Sequence, residues 1–228
     1  MECKGMEFSE YVTKESLAQQ GGYGMANKGP QHDENWLIFM DQVNNQIPTF
    51  EDKAGAINYF SLFRTWFSLV GLCKLPWNDI EPEDNKQKYQ GMKAAKVPEH
   101  VENYCWLFEG VTGKHIIPEE LILQSERVHN LQRLFNLKMG FGTREHDRIP
   151  YRAMGPVTVE EYESRKELYD QQLKDIIKFD VKGKTIEEKM KVLRIYREEQ
   201  YQKLCDAVYN RRGWDSNGVP TLENIKKL

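Results

Sequence analysis

The feature that most limits this chain is how often apolar side chains return at three- and four-residue steps, while strand-like alternation is scarce. From Phe50 to Gly71, the residues Ala56, Ile57, Phe60, Phe63, Phe67 and Val70 form one broad apolar face, and Thr49 with Asp52 resembles a cap at its start. Pro98 opens a short helical segment containing Tyr104, Cys105 and Phe108. Pro118 with Glu119 and Glu120 reads as the first turn of a helix that places Leu121, Val128, Leu131 and Phe135 on one side. Thr158 to Glu161 and Thr185 to Glu188 both fit the T-x-x-E capping box. The first box starts a helix carrying Tyr162, Tyr169, Leu173, Ile176 and Ile177 inward. The second starts one carrying Met190, Leu193, Tyr196, Leu204 and Val208, which ends near Gly213. Asp180 to Lys184 turns between them, so the two run antiparallel. A mainly α fold, an irregular multi-helix bundle, is expected.

Two breaks divide the chain, the polar and charged stretch from Pro76 to Lys96 and the Gly- and Pro-punctuated one from Gly140 to Pro156. We take residues 1–75 as a helical segment with a Gly-rich loop and a cysteine corner, and residues 76–228 as a C-terminal helical domain. A net charge of −3 argues against a partner bound through phosphate neutralisation. No apolar run is long enough to span a bilayer, and the N-terminus carries no secretory pattern, so a cytoplasmic location is expected. The cysteines, Cys3, Cys73, Cys105 and Cys205, are far apart. No C-x-x-C pair supports a self-contained metal site, and the spacing gives no disulfide framework.

Four stretches could carry chemistry. Gly21 to Trp36 holds four glycines within nine residues and then His32. Its glycines match neither a phosphate-binding loop nor a dinucleotide fingerprint. His32 is either a proton donor and acceptor, given an ordinary pKa near ~6.5, or a loop histidine beside a helix capped by Asp33 or Asn35. Cys73, after Gly71 and Leu72, is either a buried thiol filling a gap or a ligand. The charges Arg144, Glu145, His146, Asp147 and Arg148 read as a solvated turn. From Arg211 to Thr221, Gly213 is a cap, Asn217-Gly218 a turn and Trp214 an anchor.

In this order, the stretches resemble the C-terminal portion of the tungsten-containing aldehyde:ferredoxin oxidoreductase family. The matching elements are Lys4-Gly5-Met6-Glu7, Gly29 to His32, Gly71-Leu72-Cys73, Phe135 to Pro150, and Arg212 to Thr221. The wording Lys74-Leu75-Pro76-Trp77-Asn78-Asp79 and the aromatic loading are similar to the tungsten subunit of class II benzoyl-CoA reductase. The resemblance implies that Cys73 is the fourth thiolate of a [4Fe–4S] cluster beside a tungsten bis-pterin. The other three thiolates belong to a C-x-x-C-x-x-x-C segment that this sequence lacks. Partners implied are the N-terminal part of the same enzyme, without which the chain is inactive, and an electron carrier such as ferredoxin or an iron–sulfur subunit. His32 aligns with the histidine that exchanges a proton with substrate. Gly71 and Leu72 would lay backbone against pterin or cluster. Ser68 stands where the family has a pterin-contacting aspartate, and Tyr11 stands where many relatives have an acidic or histidine-containing loop. The competing class is a non-catalytic, partner-binding helical protein or fragment. If such a piece stands alone, an exposed apolar face is expected.

Overall fold

The computed structural model describes residues 1–9, 13–74 and 101–228, with side chains from 104 in the last segment. Pro76 to Lys96, Pro98 and Tyr11 lie outside the described residues.

The chain opens with a two-residue hairpin between β1 (Glu2–Cys3) and β2 (Met6–Glu7). Lys4 and Gly5 both take positive φ, 56° and 72°, as a tight turn matching the strand twist requires. Helices follow: α1 (Leu17–Gly24), a π-turn at Phe39–Val43, α2 (Phe50–Leu69), α3 (Val101–Thr112) and α4 (Pro118–Lys138). After a 3₁₀ turn at Tyr151–Met154 come α5 (Val159–Glu163), α6 (Lys166–Gln171), a π-turn at Gln172–Ile176, α7 (Ile186–Arg211) and α8 (Leu222–Lys227). The mainly helical expectation holds.

The main core lies where α2 meets α1, α4 and α7. The capping boxes expected at Thr49/Asp52 and Thr185/Glu188 are both formed. At the start of α5, Thr158 accepts from the Glu161 amide. Ala56, Ile57, Phe60, Phe63 and Phe67 are buried as the spacing requires, whereas Val70, in the turn that ends α2, is 40% exposed. A smaller core gathers Tyr162, Tyr169, Leu173, Val181 and Leu193.

Three expectations about the helices need correction. The helix expected from Thr158 through Ile177 is broken into α5, α6 and a π-turn. Ser164 Oγ bonds back to the Glu161 carbonyl at 2.8 Å and competes with the backbone ladder, and the re-phased chain leaves Ile176 56% exposed. On α7, Met190 and Tyr196 are half-buried, while Leu193, Leu204 and Val208 are buried as expected. On α4 the expected apolar stripe holds at Leu121, which is buried, but not beyond it: Val128 is half-buried, Leu131 and Phe135 are 63% and 62% exposed, and Ser125, His129, Asn130 and Arg133 point inward. The cause is a polar interior, described next.

Asp147, expected in a solvated turn, is fully buried. Its carboxylate accepts two bonds from Arg133, at 2.9 and 2.7 Å, and one from Tyr209 Oη at 2.5 Å. Lys4 Nζ lies 2.7 Å from the same group, so the N-terminal hairpin is pinned into the core. Burial alone raises a carboxyl's pKa, but Lys4 and Arg133 outweigh it and hold Asp147 far below the ordinary range. Beside this hub, the guanidiniums of Arg133 and Arg212 lie over the Trp214 ring, 4.6 and 4.9 Å from its centre, and Trp214 Nε1 donates to Asn130 at 2.8 Å. Trp214 is the anchor that was expected.

Candidate functional site

The cysteine corner is built by the way α2 stops. Gly71 takes φ +71°, the Leu72 amide bonds back to the Phe67 carbonyl at 2.9 Å, and the Val70 amide to Trp66 at 3.1 Å. This glycine-capped stop satisfies the last carbonyls and turns the chain sharply. Leu72 is drawn against the core, while Ser68, Gly71 and Cys73 stay on the exposed side. Cys73 is therefore an exposed free thiol, not one filling a gap in the core.

The histidine loop lies against the same end of α2. The buried Arg64 donates to the Asp33 carbonyl at 3.0 Å. Lys74, next to Cys73, reaches Asp33 Oδ2 at 3.5 Å, and Lys28 pairs with the same oxygen. Burial pushes the Asp33 carboxyl up, but the two lysines override it and keep Asp33 ionised to lower pH than usual. The structure thus brings together the two stretches singled out in the sequence, through neighbours of His32 and Cys73.

His32 itself is half-buried. Ser9 Oγ lies 3.4 Å from its Nδ1, and Trp36 meets the ring edge-on with centroids 4.9 Å apart. Ser9 is held in turn by its amide, which bonds to the Pro30 carbonyl at 3.1 Å. Gly29, with φ +114°, allows the hairpin to approach, since a Cβ there would meet Met6 Sδ at 2.4 Å. The cap expected at Asp33 or Asn35 is not formed. Asn35 is buried and donates to Ser61 Oγ at 2.8 Å and to the Gly22 carbonyl, because the next helical turn does not start until Phe39.

Two residues escaped the sequence reading. Asp147 looked like one charge in a run, and its only local hint was the surrounding R-x-x-D-x-I-P pattern. Glu34, two residues after His32, is 4% exposed, with Oε1 enclosed and without a donor. Nothing in the string Asp33-Glu34-Asn35 separates it from its neighbours.

This face offers one cysteine sulfur, and among the described residues no three His, Cys, Asp or Glu side chains gather to hold a metal. A four-iron cube needs four ligands, so the donors present fit one wall of such a site and not the whole of it.

The whole length, residues 1–228, matches the family model for aldehyde ferredoxin oxidoreductase, domains 2 and 3. The chain belongs to the aldehyde ferredoxin oxidoreductase family. It contains the C-terminal domains of that family's fold, and the helical architecture agrees with them. Family membership places it with oxidoreductases. No curated protein matches the chain. No described helix is long and apolar enough to cross a membrane.

Proposed function

We propose that this chain supplies the histidine-and-cysteine wall of a tungstopterin, [4Fe–4S] oxidoreductase, working in the cytoplasm and completed by an N-terminal part that brings the remaining cluster thiolates and the pterin-binding surface. The observation that carries the reading is the exposed Cys73 corner tied through Lys74 and Asp33 to the loop of His32. Residues 1–75 carry the chemistry, and 76–228 form the helical body behind it. Apolar side chains left open on α3 and α4 (Trp106, Leu107, Val111, Leu131 and Phe135) support a reading in which other protein covers this piece.

When bound, the metal and cluster supply the redox chemistry. The chain's own part is narrower. Cys73 gives one thiolate, and Gly71, open around its Cα, lets backbone approach a flat group closely. Ser68 offers a hydroxyl in the family's aspartate position. His32, held by Ser9 and Trp36, moves a proton to or from substrate. A surface pocket of about 450 Å³ lined by Asn27, Lys28, Leu131, Gln132, Phe135 and Asn136 adjoins this loop and favours a substrate with an apolar body. The narrower form, reduction of an aromatic acyl-CoA with electrons from ferredoxin or an iron–sulfur subunit, rests on the wording of residues 74–79. All but Lys74 of these lie outside the described residues.

The test is anaerobic co-production with the N-terminal part, followed by tungsten, molybdenum and iron analysis and electron paramagnetic resonance. Tungsten, four irons per chain (about the count one cube requires) and loss of the cluster signal in Cys73→Ala support the reading. Metal-free complexes, or a Cys73→Ala protein with its cluster intact, refute it. A screen of aldehydes against aromatic acyl-CoA thioesters then decides the substrate.

A further inference from the structure

The two π-turns among the described residues, Phe39–Val43 and Gln172–Ile176, border the same groove. In each, the hydrogen-bond ladder skips a residue: the Asn44 amide bonds to the Phe39 carbonyl at 2.8 Å, and the Ile177 amide to the Gln172 carbonyl at 3.1 Å. Such turns are rare and collect at functional sites. The groove holds about 420 Å³, within the span of small-molecule sites (roughly 300–1,000 Å³). The first π-turn lends it Gln42, with Ile38 just before, the second lends Gln172, and α6 lends Leu168 and Tyr169. A neighbouring pocket of about 330 Å³ shares Lys14, Glu15 and Gln172 with it and adds Ile176, the side chain that the second π-turn leaves exposed.

Most of the polar lining is already matched. Arg197, from α7, donates to Glu15 Oε2 at 2.7 Å and to Gln172 Oε1 at 2.8 Å, and Tyr169 Oη donates to Glu15 Oε1 at 2.9 Å. Lys14 pairs with Glu161 at 3.0 Å. A guanidinium carries only donors, so Gln172 must turn its oxygen toward Arg197, which leaves its NH₂ group free to donate. Arg165 differs from the other charges. Its guanidinium has neither a hydrogen bond nor a carboxylate partner among the described residues. Only its backbone serves the fold, accepting the Tyr169 amide at 3.1 Å where α6 restarts after the break at Ser164.

An unpaired surface arginine is ordinary, and a crevice between two packed cores needs no ligand. Here, however, the free guanidinium, the free amide and the apolar side chains line one pocket, and its other charges, Lys14 and Glu15, are paired. One cation left over suits a singly charged head. Ile38, Leu168 and Tyr169 suit an apolar body.

We propose that this groove binds a small monocarboxylic acid with an apolar body. The Arg165 guanidinium takes the carboxylate in a two-pronged contact, the Gln172 amide is a second donor in the same pocket, and the body lies against Ile38, Leu168 and Tyr169. None of these residues has a role in the metal chemistry assigned to the His32 and Cys73 face, so the two readings stand or fall separately.

The test uses the full 228-residue chain, nitrogen-labelled and titrated by NMR with hexanoate, with acetate and hexylamine as controls. Hexanoate should give saturable shifts centred on Gln42, Leu168 and Gln172, with a dissociation constant of about 1 mM or below, as a ligand of this size allows. Acetate, which lacks the body, and hexylamine, which carries the opposite charge, should each bind at least about tenfold more weakly. Arg165→Gln should weaken hexanoate at least about fivefold, in keeping with the loss of a partly exposed charged contact, and Arg165→Lys should restore part of the affinity. Gln42→Glu, which sets a carboxylate in the same pocket, should weaken hexanoate but not hexylamine. Arg165 and Gln42 are both exposed, so both variants should keep the melting temperature, and if one does not fold the other decides. Shifts that do not saturate or that centre elsewhere, acetate or hexylamine binding as tightly as hexanoate, or a hexanoate affinity unmoved by the substitutions each overturn the proposal. Metal content and turnover of the complete enzyme, which decide the oxidoreductase reading, leave this result untouched.

Discussion

Replacing Asp147 by asparagine tests whether the polar interior holds the chain together. The wild-type carboxylate receives both Arg133 nitrogens, the Tyr209 hydroxyl and the Lys4 ammonium. Arg133 and Asp147 are fully buried, and the Lys4 side chain is 4% exposed. Asparagine keeps one acceptor oxygen and turns an NH₂ group toward two cations. Lys4 and Arg133 would then be buried charges without a counterion, a situation that costs about 3–5 kcal/mol. For a chain of this length each kcal/mol moves the melting temperature by about 2–4 °C, so a fall of about 6–20 °C is expected. Urea denaturation and calorimetry on wild type and variant measure it, with Asp206→Asn as the control. Asp206 pairs with Arg144 at the surface, with side chains 58% and 25% exposed, and its loss should cost under about 1 kcal/mol. The double variant Lys4→Met/Asp147→Asn should cost less than the sum of its singles, since the two share one contact. The sign with pH follows from the same group. Its folded pKa is depressed by Lys4 and Arg133 against burial, so its stabilisation is full above the unfolded value near ~3.9 and is lost as pH falls below it. An Asp147→Asn cost below about 1.5 kcal/mol would refute the argument that uncompensated buried charge dominates here.

Other expectations can be checked with modest effort. His129 is buried and stacked on Trp214 with ring centroids 5.9 Å apart, and burial, with Arg212 and Arg133 nearby, holds it neutral well below the ordinary histidine range. The unfolded chain therefore binds a proton that the folded one refuses, and stability should decline as pH falls through ~6.5, with a shallower decline in His129→Asn. Cys73 should be alkylated in the folded chain, while the buried Cys3, Cys105 and Cys205 react only on unfolding. Mass spectrometry of time points reads this directly, and equal rates at all four sites would contradict the exposed corner. Ser9→Ala removes the hydroxyl beside His32 Nδ1 and should change the ring's tautomer populations by nitrogen NMR, with little change in melting temperature.

Helix starts were legible because a capping box is complete within four residues. Thr49, Thr158 and Thr185 each carried their own evidence, and each caps the amide three residues on. The glycine stop at Gly71 and the tryptophan anchor at Trp214 were legible for the same reason. The stripe Leu131/Phe135 misled because an apolar period does not say which face meets the core. Inward Arg133 was decided by Asp147, fourteen positions away, and by the Gly218 carbonyl, eighty-five away.

By itself, then, the sequence determined the helical class, most helix starts, the corner at Gly71-Leu72-Cys73 and the family resemblance, all carried by neighbours in the chain or by residue order. Only the tertiary structure decided that Lys4 and Asp147 meet, that Lys74 reaches Asp33, and that Glu34 is buried while His32 stays half-exposed. A charged side chain in a loop is costly to bury unless distant partners arrive to neutralise it. Whether they arrive depends on how the helices pack, which no short window of sequence contains.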